Sequence, residues 1–417
     1  MGSAYRHDHH LRLTPMRLRA TVVACACVWT LVAAAAVDAT PAAAPGLSNR
    51  LTRALAGPYL PMRNTAAIAV ELETGTVVFA HNDTKPVNPA SNEKLPVAWA
   101  ALVELGPSYR FHTELYGIGS RVGATWEGDL VLKGYGDPTL ATTDLAGLAR
   151  KVRQLGITAV TGRVRGDESF YDRQRGVAGW KRGFLGIESP PLSALVVDRA
   201  AGWPALSPPL LAAKNLTAQL AGAGVNVAGR PGLGRAPASA VALASDRSVP
   251  LAEILRFMDH ESDNFTAEML LKQLGAATGA VGTTAGGAHV VTAAMRHAGI
   301  PMTGVRIADG SGLSPSDRLT TSALVGILEA AWSDPAVRTP FVRSLAVAGT
   351  SGTLKNRLPQ LKGLVRAKTG TTDLACSLSG FVADRFAFVI IENGSPVAYW
   401  VARQAQDRFV TLLAREA

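Results

Sequence analysis

The chain has 417 residues, of which 47% are hydrophobic and 18% are charged. That length and apolar fraction are enough for two domains with a sizeable core, and they exclude a chain that is disordered throughout. The formal net charge is +10, but no block of lysine and arginine is interleaved with aromatic residues. The composition therefore disfavours a nucleic-acid-binding protein and suits a basic protein that works beside an anionic surface.

The N-terminus has the features of an export signal. Arg17 and Arg19 precede an apolar run from Ala20 to Val37. Small residues follow, and residues 37–39 or 42–44 have the pattern of a cleavage site. We therefore expect a leader that directs the chain out of the cytoplasm.

Two alternatives concern this leader of residues 1–44. Translation starts at Met1 or at Met16, and the apolar run is either cleaved off or kept as a membrane anchor. Cleavage would leave Cys376 as the single cysteine of the mature chain, so an internal disulfide is excluded and stability must come from the core.

The first predicted elements are a hairpin and a helix. Residues 66–72 are mostly apolar and alternate like a strand, residues 73–75 supply a turn, and residues 77–79 return, which is typical of a β-hairpin. A helix should begin near Ser91 and end at Gly106-Pro107.

The middle of the chain, from about residue 113 to 245, has a different sequence pattern. Short β-like runs alternate with glycine turns, at residues 128–132, 161–164 and 193–197. Residues 221–240 are rich in glycine, alanine and proline and predict an irregular connection.

Helical patterns resume after this stretch, at residues 251–258, 265–274 and 285–297. Two strands follow at residues 377–383 and 386–392, and an amphipathic helix near residues 397–413 ends the chain. The sequence thus predicts an α+β fold. We place this discontinuous domain at residues 45–112 and 246–417, with a mostly β inserted domain at residues 113–245.

The first chemical motif is Ser91-Asn92-Glu93-Lys94. Serine is a poor nucleophile until a base removes its proton, and Lys94 lies one helical turn beyond Ser91 on the same face. Lys94 must be neutral to act as a base, so burial or a nearby positive charge must lower its pKa. Taken alone, the pattern also fits a helix-capping serine and a solvated lysine.

The second motif, Ser262-Asp263-Asn264, directly precedes a predicted helix. The Ser262 hydroxyl could relay a proton to a leaving amine, and the Asn264 carboxamide could hold a substrate backbone through its donor and its acceptor. The alternative is a helix-capping cluster, which this tripeptide also suits.

The third motif is Lys368-Thr369-Gly370-Thr371, before a predicted strand. A lysine and two hydroxyl groups at a strand edge can hold a free C-terminal carboxylate, and Gly370 allows a close backbone approach. The alternative is a strand start with a solvated lysine.

The three motifs in this order are the signature of penicillin-binding proteins and class A β-lactamases. A spacing of 171 residues between Ser91 and Ser262 is much longer than in a compact β-lactamase. The chain resembles the S13 peptidases, the class C low-molecular-mass penicillin-binding proteins. Further stretches carry the resemblance over the mature chain, at residues 132–140, 160–164, 191–198, 309–314 and 352–357.

The resemblance implies the penicillin-binding/β-lactamase-like transpeptidase fold, in which an antiparallel sheet is flanked by helices. It also implies a D-alanyl-D-alanine carboxypeptidase, often also an endopeptidase, that penicillins acylate and that uses neither a metal nor an organic cofactor. Its substrates would be peptidoglycan stem peptides ending in D-Ala-D-Ala. It implies Ser91 as nucleophile, Lys94 as its base, a proton shuttle through Ser262 and Lys368, and substrate binding by Asn264.

Further roles come from the same resemblance. Thr369 and Thr371 would hold the substrate carboxylate beside Gly370, and the amides of Ser91 and Thr371 would form the oxyanion hole. Asp137 would reach the ammonium end of the stem peptide, unless it is simply a turn residue before Pro138.

Two rival functions stay open at this point. A β-lactamase or esterase could use the same Ser91–Lys94 pair, and it would need a general base for rapid deacylation that the sequence does not identify. A catalytically silent wall-binding protein is the other rival, and the intact motifs argue against it. The leader predicts a periplasmic or other extracytoplasmic location at the cell wall, with membrane contact only if the leader is kept.

Overall fold

The computed structural model describes residues 45–417, which belong to one compact unit. Within this range the α-helices are α1 (Pro45–Leu55), α2 (Lys94–Leu105), α3 (Thr142–Gln154), α4 (Phe184–Ile187), α5 (Pro208–Gly222), α6 (Leu251–Glu261), α7 (Asn264–Ala276), α8 (Thr284–His297), α9 (Thr321–Ser333), α10 (Pro335–Ser344) and α11 (Tyr399–Glu416). None of them is both long and apolar enough to cross a bilayer. The predicted leader lies outside the described residues.

The strands of the same range form two sheets. Their bounds are β1 (Thr65–Glu71), β2 (Val77–His81), β3 (His112–Val122), β4 (Thr125–Gly134), β5 (Ala159–Val160), β6 (Val164–Asp167), β7 (Asn226–Val227), β8 (Gly232–Leu233), β9 (Val241–Arg247), β10 (Ala346–Val347), β11 (Val365–Thr371), β12 (Ala375–Val382) and β13 (Phe386–Asn393). The first sheet is antiparallel throughout and has the order β10-β11-β12-β13-β1-β2.

The first sheet is buried on both faces, and its side chains alternate between two cores. In β1, Ile68 and Val70 pack with helices α2, α6, α7, α8, α9 and α10, whereas Ala67 and Ala69 pack with α1 and α11. Because successive strand residues point to opposite faces, one strand contributes to both cores. The result is three layers, with the sheet between two layers of helices.

Helix α7 is the central helix of the thicker layer. Every residue from Phe265 to Ala276 is buried, including the polar Glu268, Lys272 and Gln273. A helix that is buried all round has protein on every side, so its first residue can be held in a fixed position. That first residue is Asn264.

The second sheet comes from the middle of the chain. β3 and β4 form a long antiparallel hairpin, β9 pairs with β3, and β5 and β6 run parallel to β4. Helices α3 and α5 cover this sheet through a third apolar cluster that includes Leu148 and Leu216. The sheet spans residues 112–247, and we keep the division of the chain near residues 113 and 245 as a proposal.

The structure confirms the predicted hairpin, the helix after Ser91 and the α+β class with its antiparallel sheet. It corrects the extended run predicted at residues 193–197, which forms no strand. This segment crosses β4 closely, because a Cβ at Gly134 would lie 2.1 Å from the Ala194 carbonyl oxygen. Helices α3 and α5 were not predicted.

Pro96 lies in the first turn of α2, because residues 90–93 form a separate 3₁₀ turn. The amide groups of a first helical turn have no partner within the helix, so proline costs little there.

Candidate active site

Ser91 lies on the 3₁₀ turn Ala90–Glu93, which leads into α2. The turn packs directly on β11: a Cβ at Gly370 would lie 2.9 Å from the Ser91 amide nitrogen and 3.1 Å from the Ala90 Cβ. Glycine at position 370 therefore lets the strand edge approach the serine. The sequence analysis assigned this residue to close approach by a substrate, and the structure adds two neighbours within the chain, the Ser91 turn and Ser377 Oγ, 2.2 Å from that Cβ position.

Lys94 is fully buried, and its amine meets three oxygen atoms. Nζ lies 3.0 Å from Ser91 Oγ, 2.8 Å from Asn264 Oδ1 and 2.7 Å from the Ser311 carbonyl oxygen. A neutral amine has two N–H groups and one lone pair. With the N–H groups donated to Asn264 and Ser311, the lone pair is left to accept the Ser91 hydroxyl proton.

Burial lowers the pKa of Lys94 to about 8, and the negative charges that Asp309, Asp263 and Glu268 carry when ionised oppose this shift. The cause is the cost of removing an ammonium ion from water. A lysine of this kind holds a useful neutral fraction near neutral pH, which a solvated lysine does not.

Lys368 forms a second buried amine on β11. Its Nζ donates to Ser262 Oγ at 2.8 Å and to the Thr369 carbonyl oxygen at 2.8 Å. Burial, followed by the positive charge of Lys94, lowers the pKa of Lys368 to about 7, and Asp259 opposes the shift. Two lysines that each contact one serine hydroxyl thus lie close enough to influence each other's charge.

The second motif lies at the junction of α6 and α7. Ser262 ends α6 in the left-handed region, with φ of 58°, and Asp263 caps α7 by accepting a hydrogen bond from the Thr266 amide. The helix-capping alternative therefore describes Asp263 well. Asn264 accepts from Lys94, and its Nδ2 donates to the Glu188 carbonyl oxygen at 3.0 Å. One of its two N–H donors is thus engaged by the chain itself, and substrate binding by Asn264 stays a prediction.

The remaining motif residues lie at the open edge of β11. Thr369 Oγ1 donates to Thr353 Oγ1 at 2.8 Å, and Thr371 is exposed. Thr353 was quoted only within a resembling stretch, and its hydroxyl was not predicted to lie here. The structure thus brings Ser91, Lys94, Ser262, Asn264 and the Lys368–Thr371 strand together.

Asp137 is not joined to this group. It is 3% exposed, and its Oδ1 accepts hydrogen bonds from the amide and the hydroxyl of Thr139. Its geometry is that of the turn residue that the sequence analysis kept as the alternative. Substrate binding by Asp137 stays a prediction.

A buried acidic group behind Lys94 was missed by the sequence analysis. Asp309 accepts hydrogen bonds from the amides of Ser311, Gly312 and Ser314 at 3.1, 2.7 and 2.8 Å, and from Trp180 Nε1 at 2.9 Å. These bonds fix the loop whose Ser311 carbonyl holds Lys94. The signal was present in the quoted stretch 309–314, but its partners could not be identified from sequence.

Two further carboxyl groups belong to this acidic group. Glu268 accepts from the amides of Gly310 and Ser311 at 3.0 and 2.9 Å. Burial, followed by the charge of Asp309, raises the pKa of Glu268 to about 8. Burial also raises the pKa of Glu93 well above its ordinary value, and neither Glu93 oxygen has a hydrogen-bond partner among residues 45–417. Both groups are therefore favoured in their protonated form.

Residues of the inserted stretch close one side of the site. Arg199 forms an ion pair of 2.7 Å with Asp263, and Lys181 forms one of 2.6 Å with Asp373, just after β11. Together with the Glu188 and Trp180 contacts, they fasten residues 180–199 to the second motif, to the segment after β11 and to Asp309.

The pH dependence of acylation tests the assignment of Lys94 as base. The neutral fraction of an amine rises tenfold per pH unit below its pKa, so the second-order rate of penicillin acylation should rise similarly and level off above about pH 8. Stopped-flow measurement across pH 5–9 checks this. His260→Gln is the control and should leave the midpoint unchanged; a midpoint that moves with His260 would assign the titration elsewhere.

Asp309→Asn should cost about 2–4 kcal/mol of unfolding free energy, because an amide presents a donor where backbone N–H groups need an acceptor. It should also lower the pKa of Lys94, since the Asp309 carboxylate raises it. Urea unfolding and the acylation pH profile measure the two effects. Asp384→Asn, at an exposed position with φ of 54°, is the matched control. Equal stability and an equal midpoint for both variants would contradict the role of Asp309.

The fold and the paired serine–lysine site are typical of the serine enzymes that recognise penicillin. Among solved structures, penicillin binding protein 4 from Haemophilus influenzae matches with a TM-score of 0.77 and 22% identity, covering 88% of this chain and 98% of that one. A predatory peptidoglycan endopeptidase from Bdellovibrio bacteriovorus matches with a TM-score of 0.55 and 18% identity, over 87% and 94% of the two chains.

Sequence comparison identifies the family within this class of enzymes. A D-alanyl-D-alanine carboxypeptidase from Actinomadura sp. is 31% identical over 86% of this chain and 84% of its own length. Carboxypeptidase DacB from Mycolicibacterium smegmatis is 32% identical over 84% and 80%. The model of the D-Ala-D-Ala carboxypeptidase 3 (S13) family matches residues 47–209 and 203–416. The chain belongs to this family, as its motifs predicted.

Proposed function

We propose that this protein is a serine D-Ala-D-Ala carboxypeptidase that forms an acyl-enzyme on Ser91. The observation that carries the proposal is the buried Lys94 amine 3.0 Å from Ser91 Oγ, with a pKa lowered toward neutrality. Family membership supports the reaction, and the described geometry supports the residues.

In the acylation step, neutral Lys94 takes the Ser91 proton while Oγ attacks the carbonyl carbon of the penultimate D-alanine. The oxyanion that forms is held by the amides of Ser91 and Thr371. When the tetrahedral intermediate collapses, its C–N bond breaks and the terminal D-alanine leaves as an amine. Ser262 Oγ gives that amine a proton and is reprotonated by Lys368, which contacts it at 2.8 Å.

Deacylation reverses the roles with water as the nucleophile. Water attacks the ester carbonyl, a proton passes to the amine network, and Ser91 Oγ leaves as a hydroxyl. The product is the stem peptide shortened by one D-alanine. Thr369 and Thr371, at the open edge of β11, hold the carboxylate of the residue that leaves.

We also propose that the enzyme works outside the cytoplasm, on peptidoglycan stem peptides. The predicted leader of residues 1–44 and the carboxypeptidases among the relatives support this location. Cleavage of cross-links is a second reaction of the same bond type, so it belongs to the same proposal.

Two measurements on the purified wild type test the proposal together. D-alanine should be released from a pentapeptide ending in D-Ala-D-Ala, and labelled penicillin should bind covalently at one equivalent per chain with slow release. Many turnovers of penicillin per second would make the protein a β-lactamase instead. If the wild type neither released D-alanine nor became labelled, the proposal of a serine enzyme would be rejected.

A further inference from the structure

A basic cavity lies beside the two segments that carry the second and third motifs, since His260 of α6 and Arg366 of β11 line it. It has a volume of about 690 Å³, and its wall includes Arg256, Arg343, Arg366 and His260. Glu253 is its one carboxylate. The cavity thus carries three guanidinium groups against one acidic group.

The three guanidinium groups are free to bind a ligand. None of them forms a hydrogen bond or ion pair with another part of residues 45–417, whereas Arg199, Arg357 and Arg385 do. Arg256 and Arg343 are exposed, and Arg366 is half-buried. Unpaired guanidinium groups that converge on a concavity are suited to carboxylate ligands, which they grip with two parallel N–H donors.

The position of the cavity relates it to the reaction. Arg366 lies two residues before Lys368 on β11, so the two side chains share a face about 7 Å apart. His260 lies two residues before Ser262, and its ring nitrogen bonds to the Leu345 carbonyl oxygen at 3.1 Å. The cavity is therefore lined by the residues two positions before Ser262 and Lys368, although these two residues do not line it themselves.

A single turn separates the cavity from the carboxylate-binding edge. Thr350 and Ser351 line the cavity, while Thr353, two residues later, accepts the hydrogen bond of Thr369. The pairing of β10 with Ala367 and Arg366 closes the strand edge at this end. A ligand lying along residues 368–371 and extending past Thr369 would have to cross this turn and would then reach the arginines.

We propose that this cavity is a leaving-group subsite that binds the free carboxylates of the second stem peptide in a cross-linked substrate. The inference rests on the proposed function. A lone D-alanine leaving group ends at Thr369 and does not reach the cavity. An acidic peptide attached to the leaving amine does, and the arginines attract it. The subsite thus favours cross-linked over single peptides without touching the scissile bond.

The test compares substrates and enzymes in pairs. The substrates are a cross-linked stem-peptide dimer with free carboxylates on its leaving half, the same dimer with those groups amidated, and a single pentapeptide. The enzymes are the wild type, Arg256→Gln/Arg343→Gln, and the charge-matched control Arg53→Gln/Arg415→Gln, whose arginines line a groove between α1 and α11.

We expect the cavity variant to lose about tenfold in kcat/KM on the free-acid dimer, because two partly exposed charge contacts disappear. It should keep its rates on the pentapeptide and with penicillin within twofold. Amidation of the dimer should lower the kcat/KM of the wild type by a similar factor and should change that of the cavity variant little. The proposed subsite would be contradicted if the cavity variant still had a higher kcat/KM on the free-acid dimer than on the amidated dimer. It would also be contradicted if the kcat/KM of the variant fell equally on all substrates.

Binding without turnover separates this inference from the proposed function. In a Ser91→Ala background, calorimetry should show about tenfold weaker binding of the free-acid dimer when Arg256 and Arg343 are replaced by glutamine. Equal affinities would overturn the subsite even if the enzyme is an active carboxypeptidase. The proposed subsite would also be contradicted if these arginines bound a glycerol-phosphate polymer and not the dimer. Absence of penicillin labelling in the wild type would instead reject the Ser91 mechanism.

Discussion

Ser91→Ala is expected to abolish covalent labelling by penicillin and to lower D-alanine release by about 10⁴-fold or more. The hydroxyl supplies the only atom proposed to form a covalent bond with the substrate, and its hydrogen-bond partner is Lys94 Nζ at 3.0 Å. Since Ser91 is only half-buried, its loss should change unfolding free energy by less than about 1 kcal/mol. Labelling with fluorescent penicillin followed by gel analysis measures the first effect.

The control for this prediction is Ser48→Ala, an exposed serine on α1 that should label as the wild type does. Labelling of the Ser91→Ala protein at another residue, identified by mass spectrometry, would show that the nucleophile lies elsewhere. Residual peptide cleavage at more than about one hundredth of the wild-type rate would lead to the same conclusion.

Lys94→Gln should slow acylation by about 10³–10⁴-fold, the range of a well-placed general base. Glutamine can still donate to Asn264 and Ser311, but its amide nitrogen cannot accept the serine proton. Lys94→Arg retains the positive charge and should be equally slow, because guanidinium does not lose its proton at these pH values. Rapid-mixing kinetics with penicillin at saturating concentration measure both.

The pair of variants separates charge from basicity. If Lys94 served only as a positive charge, arginine would restore much of the rate, and recovery above about a tenth of the wild-type value would contradict the base assignment. Lys214→Gln, an exposed lysine on α5, serves as the control for loss of one lysine charge. Thermal unfolding of each variant identifies changes that act through stability.

Features that depend on neighbouring residues could be predicted from the sequence. The hairpin of β1 and β2, the helix after Ser91 and the strands β12 and β13 follow from local periodicity and turn residues. The three motifs could be predicted because each lies within four residues, although their convergence over 277 residues of chain, from Ser91 to Lys368, came from the resemblance.

Features that depend on distant contacts could not be predicted. Glu268 and Asp309 are ordinary acidic residues until α7 brings one beneath the loop that holds the other. The sequence does not identify a partner for the Asn264 carboxamide. Only the fold shows that its Nδ2 donates to the carbonyl oxygen of Glu188, 76 residues away. Helices α3 and α5 were missed because glycine and β-like runs dominate the surrounding sequence.

The fastening of residues 180–199 to the site means that the middle of the chain is not a detachable module. Removing it would leave Asn264 without the acceptor for its amide, Asp263 without its guanidinium partner, and Asp309 without the indole that bonds it. Phe265 would also lose the Arg199 guanidinium that covers its ring, 4.8 Å away. A shortened relative must therefore retain residues equivalent to 180–199 or supply a new wall for the site, so the insertion can lose its second sheet more readily than these residues.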